Sequence, residues 1–313
     1  MEFNSIVQSV DRIESSKNYW FVRTDNGDYY QDYYEHGFIA IGWDYITIQD
    51  LQSISGTAFD IKQKIAHREG LDIVNNARDK GKVTAIFNKL KAFKNLNRGD
   101  IIVIPSENSQ RLAFGFVADN QIFTNVDDPN CPFVKRRRIN WVEEKDIDEL
   151  DKIFYQIRIS RHTISSIKPY EAYIDKVVKT LFIKNDYSHY VLDLQTDKDI
   201  NFNTLLQLIN NIRFLTEWLN NDFNLGENLD QNAIKLNLQS SGKIEFKFLN
   251  GKSLILLATL LGPMTLNSGL NNIAQNEKQQ LENFRQVHQN EIEEIENALQ
   301  ELEVDRDKIN SIY

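Results

Sequence analysis

Residues 19–46 constrain the fold most, because they crowd aromatic side chains, one arginine and several carboxylates into 28 positions. Residues 20–22 predict a first strand, the Asp- and Gly-containing cluster at 25–28 predicts its turn, and residues 38–43 predict a second strand. Aromatic residues are good strand formers and large hydrophobic fillers. They therefore either fill a small β core or line a base-sized pocket at the strand ends.

The length of 313 residues favours two domains, each able to bury its own core. The formal net charge is −9, but the acidity is concentrated in residues 195–313, which carry 10 Lys and Arg against 17 Asp and Glu. The preceding part of the chain is free to present positive patches, which occur at 78–98 and 135–138. An acidic protein of this kind can still bind a nucleic acid or a nucleotide.

The cysteine content and the hydropathy pattern bear on location. The single cysteine, Cys131, can neither form an internal disulfide nor supply a thiolate cluster for zinc, which favours a reducing, cytoplasmic location. The first residues lack a basic segment followed by an apolar core, so we expect no signal peptide. The apolar run at 254–266 is shorter than the roughly 20 residues of a membrane-spanning helix. It predicts a buried helix or an oligomer contact, with a membrane-associated segment as the alternative.

Helical periodicity follows the aromatic segment. Apolar residues recur on one helical face over 83–93. Lysines lie away from that face, and they form either a solvated surface or a surface that faces phosphate. They are Lys82, Lys89, Lys91 and Lys94.

A strand pair and a basic strand come next. The apolar strand 101–105 follows a Gly-Asp turn and returns at 112–118 after a polar hairpin. Residues 133–142 predict a further strand with four consecutive cations, Lys135, Arg136, Arg137 and Arg138. These side chains either contact phosphates or protect an edge strand from unwanted pairing.

The segments that carry a family resemblance are 19–22, 37–43, 98–104, 114–117 and the basic strand ending at Trp141. In this order they resemble the PUA-like superfamily, especially its EVE-type branch, over residues 18–165. The resemblance implies a small mixed β-barrel of the α+β class that binds modified bases or RNA in an aromatic-lined pocket. Similar modules are fused to effector domains in bacterial anti-phage and restriction systems.

The resemblance also implies a ligand site at the strand ends. Trp20, Phe38 and Trp43 would form its stacking wall, since aromatic stacking contributes roughly 1–3 kcal/mol per base. Asp44 would accept a hydrogen bond from a base N–H.

Other polar residues are candidates for the rim of this site. Arg23 and Tyr30 would hold a phosphate or close the rim. Arg161 and His162 suit contacts with phosphate or base edges, and the alternative is a helix N-cap at residue 163 or 165 with surface charges nearby.

Catalytic motifs are few. The sequence has no Gly-rich phosphate loop, no nucleophile elbow and no pair of histidines at metal-binding spacing. Asp230, Glu245 and Lys247 superficially match the pattern with which many nucleases hold Mg²⁺, and a plain β-hairpin over 234–249 is the alternative. We therefore predict a binding or sensor protein without catalytic residues, metal or cofactor. The alternatives are a metal-dependent nuclease and a membrane-associated effector that uses residues 254–266.

The C-terminal part is predicted to be mostly helical around this hairpin. Residues 276–313 lack Gly and Pro, and Leu281, Ile295, Leu302 and Ile309 lie at multiples of seven from one another. This spacing predicts a long terminal helix with a partial coiled-coil seam and hence a homo-oligomer, with packing inside one chain as the alternative. The predicted domains are a ligand-binding domain at 1–165 and an interaction or effector region at 166–313.

Overall fold

The computed structural model describes residues 3–52, 58–196, 198–237, 242–262 and 273–305. The chain forms two compact units. The inserted unit is Lys17–Val178, and the flanking unit combines Met1–Ser16 with Lys179–Tyr313.

Within its described residues, the inserted unit combines helices with seven strands. In chain order its elements are β1 (Tyr19–Val22), α2 (Tyr30–Glu35), β2 (Phe38–Ile41), α3 (Ile48–Gln52), α4 (Ala58–Glu69), α5 (Ala77–Lys94), β3 (Ile101–Pro105), β4 (Arg111–Val117), β5 (Phe123–Thr124), β6 (Lys135–Asp146), α6 (Phe154–Ile157), β7 (Ile164–Ser166) and α7 (Glu171–Val178). The label α1 belongs to helix Asn4–Ser9 of the flanking unit. The predicted α+β class is confirmed.

The strands of the inserted unit form one curled, half-barrel sheet in the order β2-β6-β4-β3-β1-β7, with β5 paired to β6 outside this path. Strand β1 runs parallel to β3, and the other pairs are antiparallel. Two hydrophobic cores flank the sheet, because alternate residues of β1 and β3 point to opposite faces. Val22 and Ile102 lie in one core, and Phe21 and Val103 lie in the other.

The flanking unit is a four-stranded sheet with helices. Its elements after α1 are β8 (Leu181–Lys184), β9 (Tyr187–Asp193), α8 (Phe202–Asp222), β10 (Ala233–Asn237), β11 (Lys243–Leu249), α9 (Lys252–Leu261), α10 (Gln275–Val287) and α11 (Gln289–Glu301). The sheet order is β10-β11-β9-β8, and all pairs are antiparallel. The predicted hairpin is present as β10 and β11.

Helix α1 explains why this grouping differs from the predicted division at residue 165. Its Phe3 and Ile6 are buried in the core of the flanking unit. The Glu277 carboxylate accepts hydrogen bonds from the backbone N–H groups of Ser5 and Ile6, at 3.3 and 3.2 Å. Residues 164–166 pair with β1, so the inserted unit extends past residue 165.

The apolar run at 254–266 begins as a buried helix. Every residue of α9 from Ser253 to Leu261 is buried, and residues 263–266 lie outside the described residues. Within the described part of the chain, no helix is long and apolar enough to cross a membrane.

The N-terminus of α9 is capped by a half-buried carboxylate. Glu227 accepts hydrogen bonds from the backbone N–H of Ser253 at 2.7 Å and from its hydroxyl at 2.6 Å. Burial raises the pKa of Glu227 above its ordinary value of 4.5, although the hydrogen bonds from Ser253 oppose this shift. The native state therefore binds this proton more tightly than the unfolded chain does.

We expect Glu227→Gln to change how stability depends on pH. As pH rises from 4.5 through the raised pKa, the wild type should lose free energy of unfolding relative to the variant, because ionising Glu227 costs more in the native state. Urea denaturation at several pH values between about 4 and 7 measures the difference. A difference that stays constant across this range would contradict the raised pKa.

The terminal segment is not one long helix. Helices α10 and α11 are separated at His288, whose φ and ψ of −110° and 30° are not helical. The stripe residues Leu281, Ile295 and Leu302 are buried in the core of the flanking unit, and Ile309 lies outside the described residues. The alternative of packing inside one chain accounts for this stripe, so the stripe no longer supports the predicted homo-oligomer.

Candidate functional site

An open groove lies where β1 meets the C-terminal half of α5. Its volume is about 640 Å³, and its lining consists of Asn18, Trp20, Asn88, Lys91, Ala92, Lys94, Asn95 and Asn97. We call it the Trp20 groove. Trp20 is half-buried at its wall, and its indole N–H donates to the Asp100 carboxylate at 3.4 Å.

Asp100 organises one end of this groove. Its buried carboxylate accepts hydrogen bonds from the backbone N–H groups of Asn18 at 3.1 Å and Asn97 at 3.0 Å, in addition to the Trp20 indole. The preceding residue, Gly99, has φ +82°, a conformation that favours glycine. The Gly-Asp pair noticed in the sequence therefore connects α5 to β3, and the Asp100 carboxylate ties this turn to β1, the strand that carries Trp20.

The other wall is supplied by one side of α5. Asn76 caps its N-terminus by accepting from the backbone N–H groups of residues 78 and 79. The helix carries six Lys and Arg against one Asp, in a chain whose net charge is −9. Positive charge is thus concentrated beside the groove, where Lys91 is exposed and Lys94 is half-buried.

The groove combines three kinds of group that suit one class of ligand. An indole face can stack on a planar base, side-chain amides can donate to and accept from base edges, and ammonium groups attract phosphate. Of the predicted site residues, the structure places Trp20 here. The asparagines at 18, 88, 95 and 97 were missed, because single asparagines carry no periodic signal. For the lysines at 91 and 94, the sequence predicted only that they lie on a helix face that is either solvated or turned toward phosphate.

Trp43 lies beside a different part of α5. The ammonium of Lys89 sits 5.4 Å from the centroid of its indole ring. The Trp43 backbone has φ +56°, and the Trp43 carbonyl accepts a hydrogen bond from the Lys135 ammonium at 3.1 Å. Asp44 forms an ion pair with the same lysine at 2.7 Å, so its carboxylate is engaged by the protein rather than free for a base N–H.

Phe38 and Tyr30 are core residues. Phe38 was predicted to be part of the stacking wall, and Tyr30 was predicted to hold a phosphate or close the rim. Phe38 is 2% exposed and packs against the Tyr33 ring at 5.0 Å. Tyr30 is 3% exposed and its hydroxyl donates to Glu144 at 2.5 Å. The structure therefore does not bring the predicted aromatic wall together, because β2 is covered on both faces.

Arg23 holds a loop of the protein. Its guanidinium donates to the backbone carbonyls of Ser160 at 2.8 Å and Arg158 at 3.0 Å. Burial lowers its pKa from the ordinary arginine value. These contacts replace the predicted phosphate contact. Arg161 and His162 follow this loop and are exposed, so the structure leaves their predicted role untested.

Three of the four consecutive cations of the basic strand are buried, which corrects the prediction that they contact phosphates. Lys135, Arg136 and Arg137 are each at most 2% exposed. The Arg136 guanidinium pairs with Asp128 at 2.7 Å and lies 4.2 Å from the Phe38 ring centroid. Burial lowers the pKa of Lys135, although its contact with Asp44 opposes this shift.

Arg137 caps the C-terminal end of α5. Its guanidinium donates to the backbone carbonyls of Phe93, Lys94 and Leu96, at 3.5, 3.3 and 2.5 Å, and to that of Asp119 at 2.9 Å. Helix ends leave carbonyls without helical partners, and a cation is favourable there. Arg138 is the exposed member of the run, and it pairs with Asp119 at 3.1 Å.

The three residues of the nuclease alternative lie in separate environments. Asp230 is exposed in a turn before β10. Glu245 is buried and pairs with His189 at 2.7 Å, and the Lys247 ammonium lies 4.0 Å from the Tyr187 ring centroid. Within the residues that the structure describes, no three His, Cys, Asp or Glu side chains could hold a metal ion together.

Comparison with known proteins finds one family model that matches part of the chain. Residues 20–168 match a family described as a domain of unknown function (DUF8426). This segment lies within the inserted unit and includes Trp20 and the whole of α5. No curated protein and no solved structure matches the chain.

Proposed function

We propose that the inserted unit is a PUA-like, EVE-type module that binds a nucleic acid or nucleotide in the Trp20 groove. The half-buried indole beside Lys91 and Lys94 carries this proposal. Support comes from the curled sheet and from the near coincidence of the matched segment, residues 20–168, with the resemblance over 18–165.

The proposal extends to the setting of the protein. The module resembles those fused to effectors in bacterial anti-phage systems, so we propose that it senses a nucleic acid or modified base in the cytoplasm and that the flanking unit acts as the effector or assembly element. A cytoplasmic location is consistent with the single cysteine, Cys131, which is buried and free. We assign the protein no catalytic step.

Substitutions in the full-length protein test the groove. Trp20→Ala is expected to weaken binding of a fluorescein-labelled single-stranded RNA or DNA octamer by about 1–3 kcal/mol, because one stacked base loses its platform. Lys91→Ala should weaken binding and reduce the slope of log affinity against log salt concentration by about 0.7, because one phosphate contact is lost. Fluorescence anisotropy at several salt concentrations measures both quantities.

Lys89→Ala is the matched control. It removes the same charge from the same helix, but Lys89 contacts Trp43 rather than lining the groove. We expect its affinity and salt dependence to equal those of the wild type. Wild-type affinity in a folded Trp20→Ala protein would refute the proposed site, and a loss confined to Lys89→Ala would move the site to Trp43.

A further inference from the structure

A second cavity lies between the N-terminal half of α5 and helix α4. Its volume is about 600 Å³, and its lining consists of Ala58, Phe59, Lys62, Gln63, Ala66, Ile73, Val74, Lys80, Val83 and Thr84. We call it the Phe59 cavity. Its Ala66 and Val83 are buried, whereas Phe59 is 64% exposed at the mouth.

The Phe59 cavity and the Trp20 groove share one stripe of α5. The stripe residues recur three or four positions apart, so they lie on the same side of the helix. They are Lys80 and Thr84 in the Phe59 cavity, and Asn88, Lys91 and Asn95 in the Trp20 groove. The stripe carries two ammonium groups and no carboxylate.

The charge and shape of this stripe favour one ligand class. An aromatic ring lies at each end of the stripe, Phe59 in the cavity and Trp20 in the groove. The stripe between the two rings is polar and cationic. Within the described residues, neither Lys80 nor Lys62 of the cavity forms an ion pair, although the Lys62 ammonium lies 5.1 Å from the Phe87 ring centroid. The exposed Lys80 ammonium can therefore meet an anion. A strand with planar bases and a charged backbone complements this arrangement.

We infer that the ligand is a single-stranded oligonucleotide that runs along α5, with one base at Trp20 and another at Phe59. This inference rests on the proposed function and specifies a polymer rather than a mononucleotide. The two sites are separated by about ten residues of helix, or about 15 Å. A stacked strand advances about 3.4 Å per nucleotide, so the path takes about four nucleotides. Gln63 and Thr84 supply polar atoms for base edges in the Phe59 cavity.

The test compares a dinucleotide with an octamer of the same single-stranded RNA, each binding to the full-length protein. The wild type should bind the octamer at least tenfold more tightly, because only the octamer reaches both aromatic rings. Phe59→Ala should remove this gain, because the second ring is lost. The exposed position of Phe59 means that the substitution should leave the fold intact, which thermal unfolding can verify.

Lysine variants provide the matched comparison. Lys80→Ala should weaken octamer binding severalfold, whereas Lys82→Ala should not, because Lys82 lies about 160° away around the helix and pairs with Asp79 at 3.0 Å. Equal effects of the two substitutions would contradict the path along the stripe.

The outcomes separate this inference from the proposed function. If both lengths bind equally and binding still depends on Trp20, the oligonucleotide path is wrong and the proposed function stands. If the gain with length survives Phe59→Ala, the strand leaves the groove by another route and the path is also wrong. The Phe59 cavity would then suit another partner, such as an apolar peptide. If neither length binds, both proposals fail.

Discussion

Replacing Arg137 with methionine is expected to lower the free energy of unfolding of the inserted unit by about 3–5 kcal/mol. The guanidinium is fully buried and donates to four backbone carbonyls, three of them at the C-terminal end of α5. Methionine fills similar space but donates no hydrogen bond, so these carbonyls would remain buried without this donor. Chemical denaturation of the full-length protein, followed by near-ultraviolet circular dichroism, measures the loss.

Arg138→Met is the control for this substitution. The neighbouring side chain is exposed and pairs with Asp119 at the surface, so its loss should cost less than about 1 kcal/mol. The two variants have the same net charge. Equal stabilities would show that Arg137 does not hold the end of α5, and reduced nucleic-acid binding by a stable Arg137→Met protein would restore the phosphate-contact interpretation.

Phe3→Ala should lower the free energy of unfolding of the flanking unit by about 3–5 kcal/mol. Phe3 is 1% exposed and its ring meets that of Phe223 edge-on, at a centroid distance of 4.6 Å. Truncation removes a large apolar group and leaves a cavity in a core that also contains α9 and α11.

Hydrogen exchange read by segment measures this prediction. Protection should fall over β8, β9 and α9, which belong to the flanking unit, while the strands of the inserted unit keep theirs. Gln8→Ala on the exposed side of the same helix should leave both patterns unchanged. Unaltered exchange in a Phe3→Ala protein would mean that α1 contributes little to this core.

The sequence predicts three strands of the inserted unit well, because their signals are local. Apolar runs bounded by turn residues locate β1, β3 and β4 to within about one residue. The predicted hairpin is also present, and its second strand begins and ends where β11 does. Propensity and turn chemistry act over a few residues, so a single chain reveals them.

The roles of individual side chains are harder to predict, because their partners come from distant parts of the chain. The Arg137 guanidinium donates to carbonyls that lie 18 to 44 positions away in the chain. No local sequence pattern predicts these contacts. A run of cations usually signals a solvated surface, yet β6 is covered on both faces over 135–137. The heptad stripe likewise indicates what Leu281 and Ile295 require, but not whether the covering helix belongs to the same chain.

The discontinuous flanking unit determines the order in which the protein can fold as it is synthesised. The inserted unit has all its residues once position 178 has left the ribosome, so it can fold first. Helix α1 is made earlier but must wait for residues 181–304, with Phe3, Ile6 and Val10 uncovered in the meantime. The inserted unit can therefore mature before the unit that surrounds it in sequence, and these three apolar side chains stay uncovered until the rest of their core has been made.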